Sequence, residues 1–135
     1  MSDMRGISGK ALAHEANFYG APLFVLRYNS STSTGTTNTD TIFSGNCPFA
    51  LKILRAQFTL TEAAAADSED VKLTDGTNNI TDTADYSAGS DNDSFEFSSY
   101  NDLYTTLQKG ATLKIVKTAT TAVTSFDMHI YCVKA

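Results

Sequence analysis

The chain has 135 residues, of which 41% are hydrophobic and 19% charged. That length suits one domain burying about two thirds of its unfolded surface. The shortfall in apolar and charged residues is made up by Thr, Ser and Asn, which favour strands and turns over helix interiors. A net charge of −5 and a pI near 4.8, with ten scattered basic residues and no two adjacent, exclude a phosphate-binding surface and hence nucleic acid as a partner.

Met1–Gly6 opens polar, without the apolar run of a secretory signal. Residues 1–20 hold a short helix-forming run, Ala11–Phe18, with little to pack against, and are expected to form an N-terminal arm. Residues 21–135 are expected to form the single domain. The longest apolar stretch, Ala21–Leu26, is too short to cross a bilayer. Strand signals begin at Leu23–Tyr28, where apolar residues on both faces predict a strand covered on both sides. Residues 29–41 are a Ser/Thr/Asn tract too polar to offset its ordering entropy, and are expected to be a mobile loop.

The clearest strand runs from Lys52 to Thr61, with Leu54, Ala56, Phe58 and Leu60 on one face. Phe49 and Leu51 sit in the opposite phase, which predicts a bulge or bend near Lys52–Ile53. Glu62–Asp70 follows as an acidic loop. In Val71–Asp82, Asp75-Gly76 suits the type I′ turn of a two-residue hairpin, with Val71 opposite Ile80 and Leu73 opposite Asn78. A turn-rich stretch leads to the short strand Ser94–Phe97. Tyr100, Leu103, Tyr104 and Leu107 then fall at helical spacing, with Ser99 placed to cap and Gly110 to terminate. This predicts one short helix or a pair of tight turns. Ala111–Lys117 and Ser125–Lys134 close the chain as strands, the last with Phe126, Met128, Ile130 and Cys132 inward and Asp127, His129 and Tyr131 outward. Roughly eight strands with one helical turn read as an all-β antiparallel sandwich, jelly-roll-like in its spacing.

The search for chemistry finds little. An EF-hand begun at Asp91 puts Phe95 and Glu96 where an oxygen ligand and a glycine are required. The cluster Asp67/Glu69/Asp70 reads as solvated. His14 and His129 are the two histidines, and no nucleophile elbow accompanies either. Gly76 and Gly89 stand alone and make no phosphate loop. Cys47 and Cys132 are too few for a metal framework, and Cys132 reads as a small core residue rather than half of a disulfide. No enzyme, cofactor or metal is expected.

Several pieces in this order resemble small virion proteins of tailed bacteriophages, of the capsid decoration (cement) or head-fibre base type. They are Ile53–Leu60, the Asp-Gly segment Val71–Asp82, Tyr100–Leu113 and the closing strand Ser125–Lys134. The resemblance covers about residues 50–135 and leaves the first 45 aside. It implies a β-sandwich homotrimer seated on the major capsid protein, made in the host cytoplasm and placed on the outside of the virion. Leu12, Phe18, Tyr19, Leu23 and Phe24 are then the candidates for capsid or subunit contact. The alternative is a receptor- or carbohydrate-binding module of a fibre or tail, with the 29–41 and 85–93 loops as its binding end.

Overall fold

Phe126, Met128, Ile130 and Cys132 alternate with polar neighbours, and an extended strand is what puts all four on one side. All four are buried in the computed structural model, which describes residues 22–30, 33–34, 37–65, 68–120 and 122–135. Eleven strands occur among these residues: β1 (Leu23–Ser30), β2 (Ser33–Thr34), β3 (Thr37–Phe43), β4 (Leu51–Leu60), β5 (Glu69–Thr74), β6 (Ala84–Asp85), β7 (Ser94–Glu96), β8 (Thr106–Leu107), β9 (Leu113–Ala119), β10 (Ala122–Val123) and β11 (Phe126–Lys134). The first sheet runs β1-β11-β4-β7, with β8 also paired to β4. The second runs β3-β9-β5-β6, and β2 pairs with β10 as a small ribbon. Every pairing is antiparallel.

Inward faces of both sheets supply one core, as in a β-sandwich. Its centre is aromatic. The Phe58 ring lies 5.1 Å from Phe126, 5.5 Å from Phe95 and 5.6 Å from Tyr86, measured between centroids. Such offset and edge-on contacts add about 0.5–1.5 kcal/mol each beyond the area they bury.

Several expectations are corrected by long-range pairing. No helix occurs among the described residues. Instead the Asn101 carboxamide accepts the Leu103 N–H at 3.1 Å, and Tyr104 N–H donates to Asn101 O at 2.9 Å. Ile53 of β4 then donates to Thr105 O at 2.9 Å, so tertiary partners hold a turn where a single helical turn could not nucleate alone. The two-residue hairpin is absent too. Only Gly76, at φ 96°, takes a positive φ in that turn, while Asp75 Oδ1 accepts from Thr77 N at 2.9 Å and Asn78 N at 2.6 Å. The turn is therefore a wider Asx loop closed by a Thr74–Asn79 bridge, and β5 finds its strand partners in β9 and β6.

The polar tract 29–41 contributes β2 and most of β3, because β9 offers backbone partners and Thr suits a pleated surface. β1 is covered on one side only. In β4 the bulge does occur, but around Leu54: Tyr131 pairs with Arg55 and Cys132 with Ile53, so Leu54 is skipped and turned outward.

Candidate interaction surface

Register determines which side chains share the outer face of the first sheet. Leu23, Val133 and Lys52 form one row, and Val25, Tyr131 and Arg55 the next. Arg27, His129 and Gln57 follow, then Asn29, Asp127 and Thr59. The face thus grades from apolar at the Leu23 end to polar at the Asn29 end. Its middle is braced. Arg55 reaches Gln57 Oε1 at 2.7 Å and Glu96 Oε1 at 3.0 Å, its guanidinium stands 5.1 Å from the Tyr131 ring centroid, and Gln57 donates to the Tyr131 hydroxyl at 3.2 Å.

Four large hydrophobic side chains are exposed among the described residues: Leu23 (66%), Val25, Leu54 and Leu103 (81%). The first three lie on this face. Leu103 projects from the turn that hydrogen-bonds to the β4 edge, where Tyr100 also receives the Ala56 N–H at 2.7 Å. Exposed apolar side chains gathered on one side, rather than scattered singly, mark a contact surface. Beside them one edge of β1 has no strand partner among the described residues over its eight positions, and its pairing to β11 has no bulge. Edge strands of this length usually carry a device that discourages pairing.

Of the contact residues expected from sequence, Leu23 sits on this face. Phe24 points inward, 5.6 Å from the Phe49 ring, which also lies under the Lys134 ammonium at 5.0 Å. Leu12, Phe18 and Tyr19 lie outside the described residues. Tyr131 was expected to face outward, whereas Val25, Leu54 and Val133 were not singled out from the sequence as contact residues. Alternation in β1 was the available signal for Val25, whereas Leu54 needed knowledge of the bulge.

Other clusters are structural in character. Glu69 is a buried strand residue and not part of a solvated loop: its carboxylate accepts from Ala65 N at 2.6 Å and from Thr124 N and Oγ1, both at 2.9 Å. Cys47 and Cys132 are buried and free, and burial, reinforced by Cys47, pushes the Cys132 thiol up to about 12. Among the described residues no three metal-ligating side chains converge. Of the outward trio, Asp127 and His129 border a pocket of ≈ 190 Å³ shared with Arg27, Tyr28 and Asn29, and Tyr131 stands outside it.

Lys117 of β9 is buried between the sheets, with Nζ 2.5 Å from Asp40 Oδ2 on β3 and 2.5 Å from Ser30 Oγ on β1. The Tyr28 hydroxyl also bonds Asp40; burial first, then that bond and the Asp40 charge, push Tyr28 up to about 12.

No family model matches the sequence, and no curated protein matches it. Among solved structures, a chain of the Cyanophage Pam1 capsid asymmetric unit is similar over 87% of this chain and 88% of its own, at 15% identity and a TM-score of 0.56. A chain from infectious bursal disease virus, Gx strain, is similar over 85% of this chain but 32% of its own, at 11% identity and a TM-score of 0.37. The class defined by the strand order and the first likeness is an all-β, two-sheet fold. It is a fold also found in a phage capsid chain of nearly equal length.

Proposed function

We propose that this chain is a capsid decoration protein, a non-catalytic virion component that binds the outer surface of the major capsid protein shell and bridges capsomers. The observation that carries this reading is the gathering of exposed apolar side chains on and beside the first sheet, next to a β1 edge with no strand partner among the described residues. Such a face and edge suit a partner that adds buried area and backbone hydrogen bonds together. The fold likeness to the cyanophage capsid chain points to a shell as that partner.

Strand order supports the finer fold reading. Along the chain β1, β3, β4 and β5 alternate between the sheets, β6 stays in the second, and β7, β9 and β11 alternate again. That order is compatible with the double Greek key of an eight-stranded jelly roll, the fold this reading assigns and one that capsid proteins use. Homotrimer formation, with residues 1–20 acting as an arm through Leu12, Phe18 and Tyr19, completes the reading. The protein would be made in the host cytoplasm and end on the capsid exterior, without cofactor, nucleic acid or membrane.

Co-sedimentation with purified capsids lacking this protein tests the proposal. Wild-type protein binds; a Leu23→Ser, Val25→Ser double variant, folded by circular dichroism, binds at least tenfold more weakly, the scale of a lost anchor. Equal binding by the variant overturns the assignment of the surface, and no binding by wild type overturns the function. Unchanged binding after deletion of residues 1–20 removes the arm from the mechanism. Light scattering reads the trimer directly.

A further inference from the structure

The buried Lys117–Asp40 pair has no part in the surface just described, and its surroundings are unusual for an ion pair. The Lys117 side chain is 1% exposed and that of Asp40 21%. Lys117 points from the second sheet toward the first, with Ser30 Oγ accepting from Nζ and the Phe126 ring centroid 5.7 Å away. Nζ stands 2.5 Å from Asp40 Oδ2, but Oδ2 makes no well-aligned hydrogen bond among the described residues. The amine therefore approaches the carboxyl group closely but off ideal hydrogen-bond angles.

We propose that Lys117 and Asp40 condense to an isopeptide bond, a covalent staple between β9 and β3. The reactants are one ammonium and one carboxylate, and the products are one amide and one water. The reacting form is the neutral pair, reached when one proton passes from the Lys117 ammonium to the Asp40 carboxylate. The freed Nζ lone pair attacks Asp40 Cγ. The tetrahedral carbon then expels one hydroxyl as water, taking up a proton that has left the nitrogen. The Tyr28 hydroxyl, already bonded to Asp40, is placed to relay that proton. Ser30 holds the amine in position throughout. No oxidant, metal or co-reactant enters the balance.

Proximity supplies the driving force. Groups fixed in contact reach effective concentrations of about 10⁵ M or more, enough to favour a condensation that free amine and acid in water do not undergo. The partly exposed side of Asp40 leaves a route for the water to escape. β3 ends the second sheet among the described residues, so the staple would secure a strand with one described neighbour, β9.

Intact-mass spectrometry of the purified, folded wild-type chain is the test. The proposal expects a mass below that of the sequence by one water, and a branched proteolytic fragment joining the Asp40 and Lys117 peptides. A Lys117→Arg variant, which keeps the charge but lacks the primary amine, is expected at its full sequence mass. Wild-type protein that retains full mass after prolonged incubation in the folded state overturns the proposal. So does loss of water that persists in the Lys117→Arg variant. Neither result bears on capsid binding, which is read separately by co-sedimentation.

Discussion

Thr124 donates both its backbone N–H and its hydroxyl to the buried Glu69 carboxylate, each at 2.9 Å, across a separation of 55 residues. Ala65 N–H adds a third donor at 2.6 Å, so one carboxylate ties the loop before β5 to the turn before β11. Hydrogen bonds to a charged acceptor contribute about 1.5–3 kcal/mol, and a buried donor left unmatched costs about 1–3 kcal/mol. Glu69→Ala is expected to destabilise the fold by about 3–5 kcal/mol in urea titration. Glu69→Gln keeps the shape and one acceptor oxygen, and is expected to cost less than Glu69→Ala. Equal losses for the two variants would mean that packing, not the acceptor oxygens, accounts for the effect.

A second prediction concerns Gly89. A Cβ there would stand 2.6 Å from Leu60 Cδ1, 3.0 Å from Tyr86 O and 3.1 Å from Phe95 Cζ. Leu60 can shift a terminal methyl. The Tyr86 carbonyl cannot yield as easily, because it accepts the Gly89 N–H at 3.1 Å, while Gly89 O accepts from Ala64 at 2.8 Å. Gly89→Ala is therefore expected to cost about 1–3 kcal/mol by overpacking. A neutral result would show that this corner of the aromatic core is loosely filled.

What the sequence disclosed and what it hid follow one division. β11 was legible because its alternation is complete in nine residues and needs no knowledge of a partner. The inward set of β4 was legible from Ala56 to Leu60, and failed at Leu54, because the bulge depends on how Tyr131 and Cys132 register across from it. Glu69 looked solvated because its partner Thr124 lies 55 residues away. Leu103 fell at helical spacing because such a period arose by chance in a segment that β4 holds as a turn. The interaction surface is the hardest case. Leu23–Tyr28 is apolar on both faces, and it takes the pairing among the described residues, where β11 is the one strand partner of β1, to show an outer face and an edge.

Alkaline titration provides the third prediction. Burial raises Tyr28 from 10.0 to about 12 and Cys132 from 9.0 to about 12, and Tyr86 is raised as well, by burial ahead of the Glu69 and Asp70 charges. These groups are neutral when protonated, so the folded state holds its protons to higher pH than the unfolded state does. Their contribution is intact below pH 9 and is lost as pH rises through 9 to 12. Urea midpoints are expected to be insensitive to these groups below pH 9 and to fall above it. Cys132→Val should remove the earliest part of that fall, since the thiol is the first of them to ionise in the unfolded chain. A Cys132→Val profile identical to wild type between pH 9 and 10 would exclude the thiol as a contributor.

The last prediction separates binding from folding at the surface. Leu23 and Leu103 are largely exposed and bury little area on folding. Leu23→Ser and Leu103→Ser should each change stability by no more than about 0.5 kcal/mol. If the first-sheet side meets a capsid, the same side chains become desolvated there, and truncating a central anchor costs about 2 kcal/mol or more, above tenfold in affinity. Leu23 tests the sheet face and Leu103 the turn beside β4, so the two variants together outline the contact. Loss with Leu23→Ser alone confines the seat to the β1 side, and loss with both extends it across β4 to the turn. Loss with Leu103→Ser alone moves the seat off the sheet, leaving the open β1 edge free for a second copy of the chain.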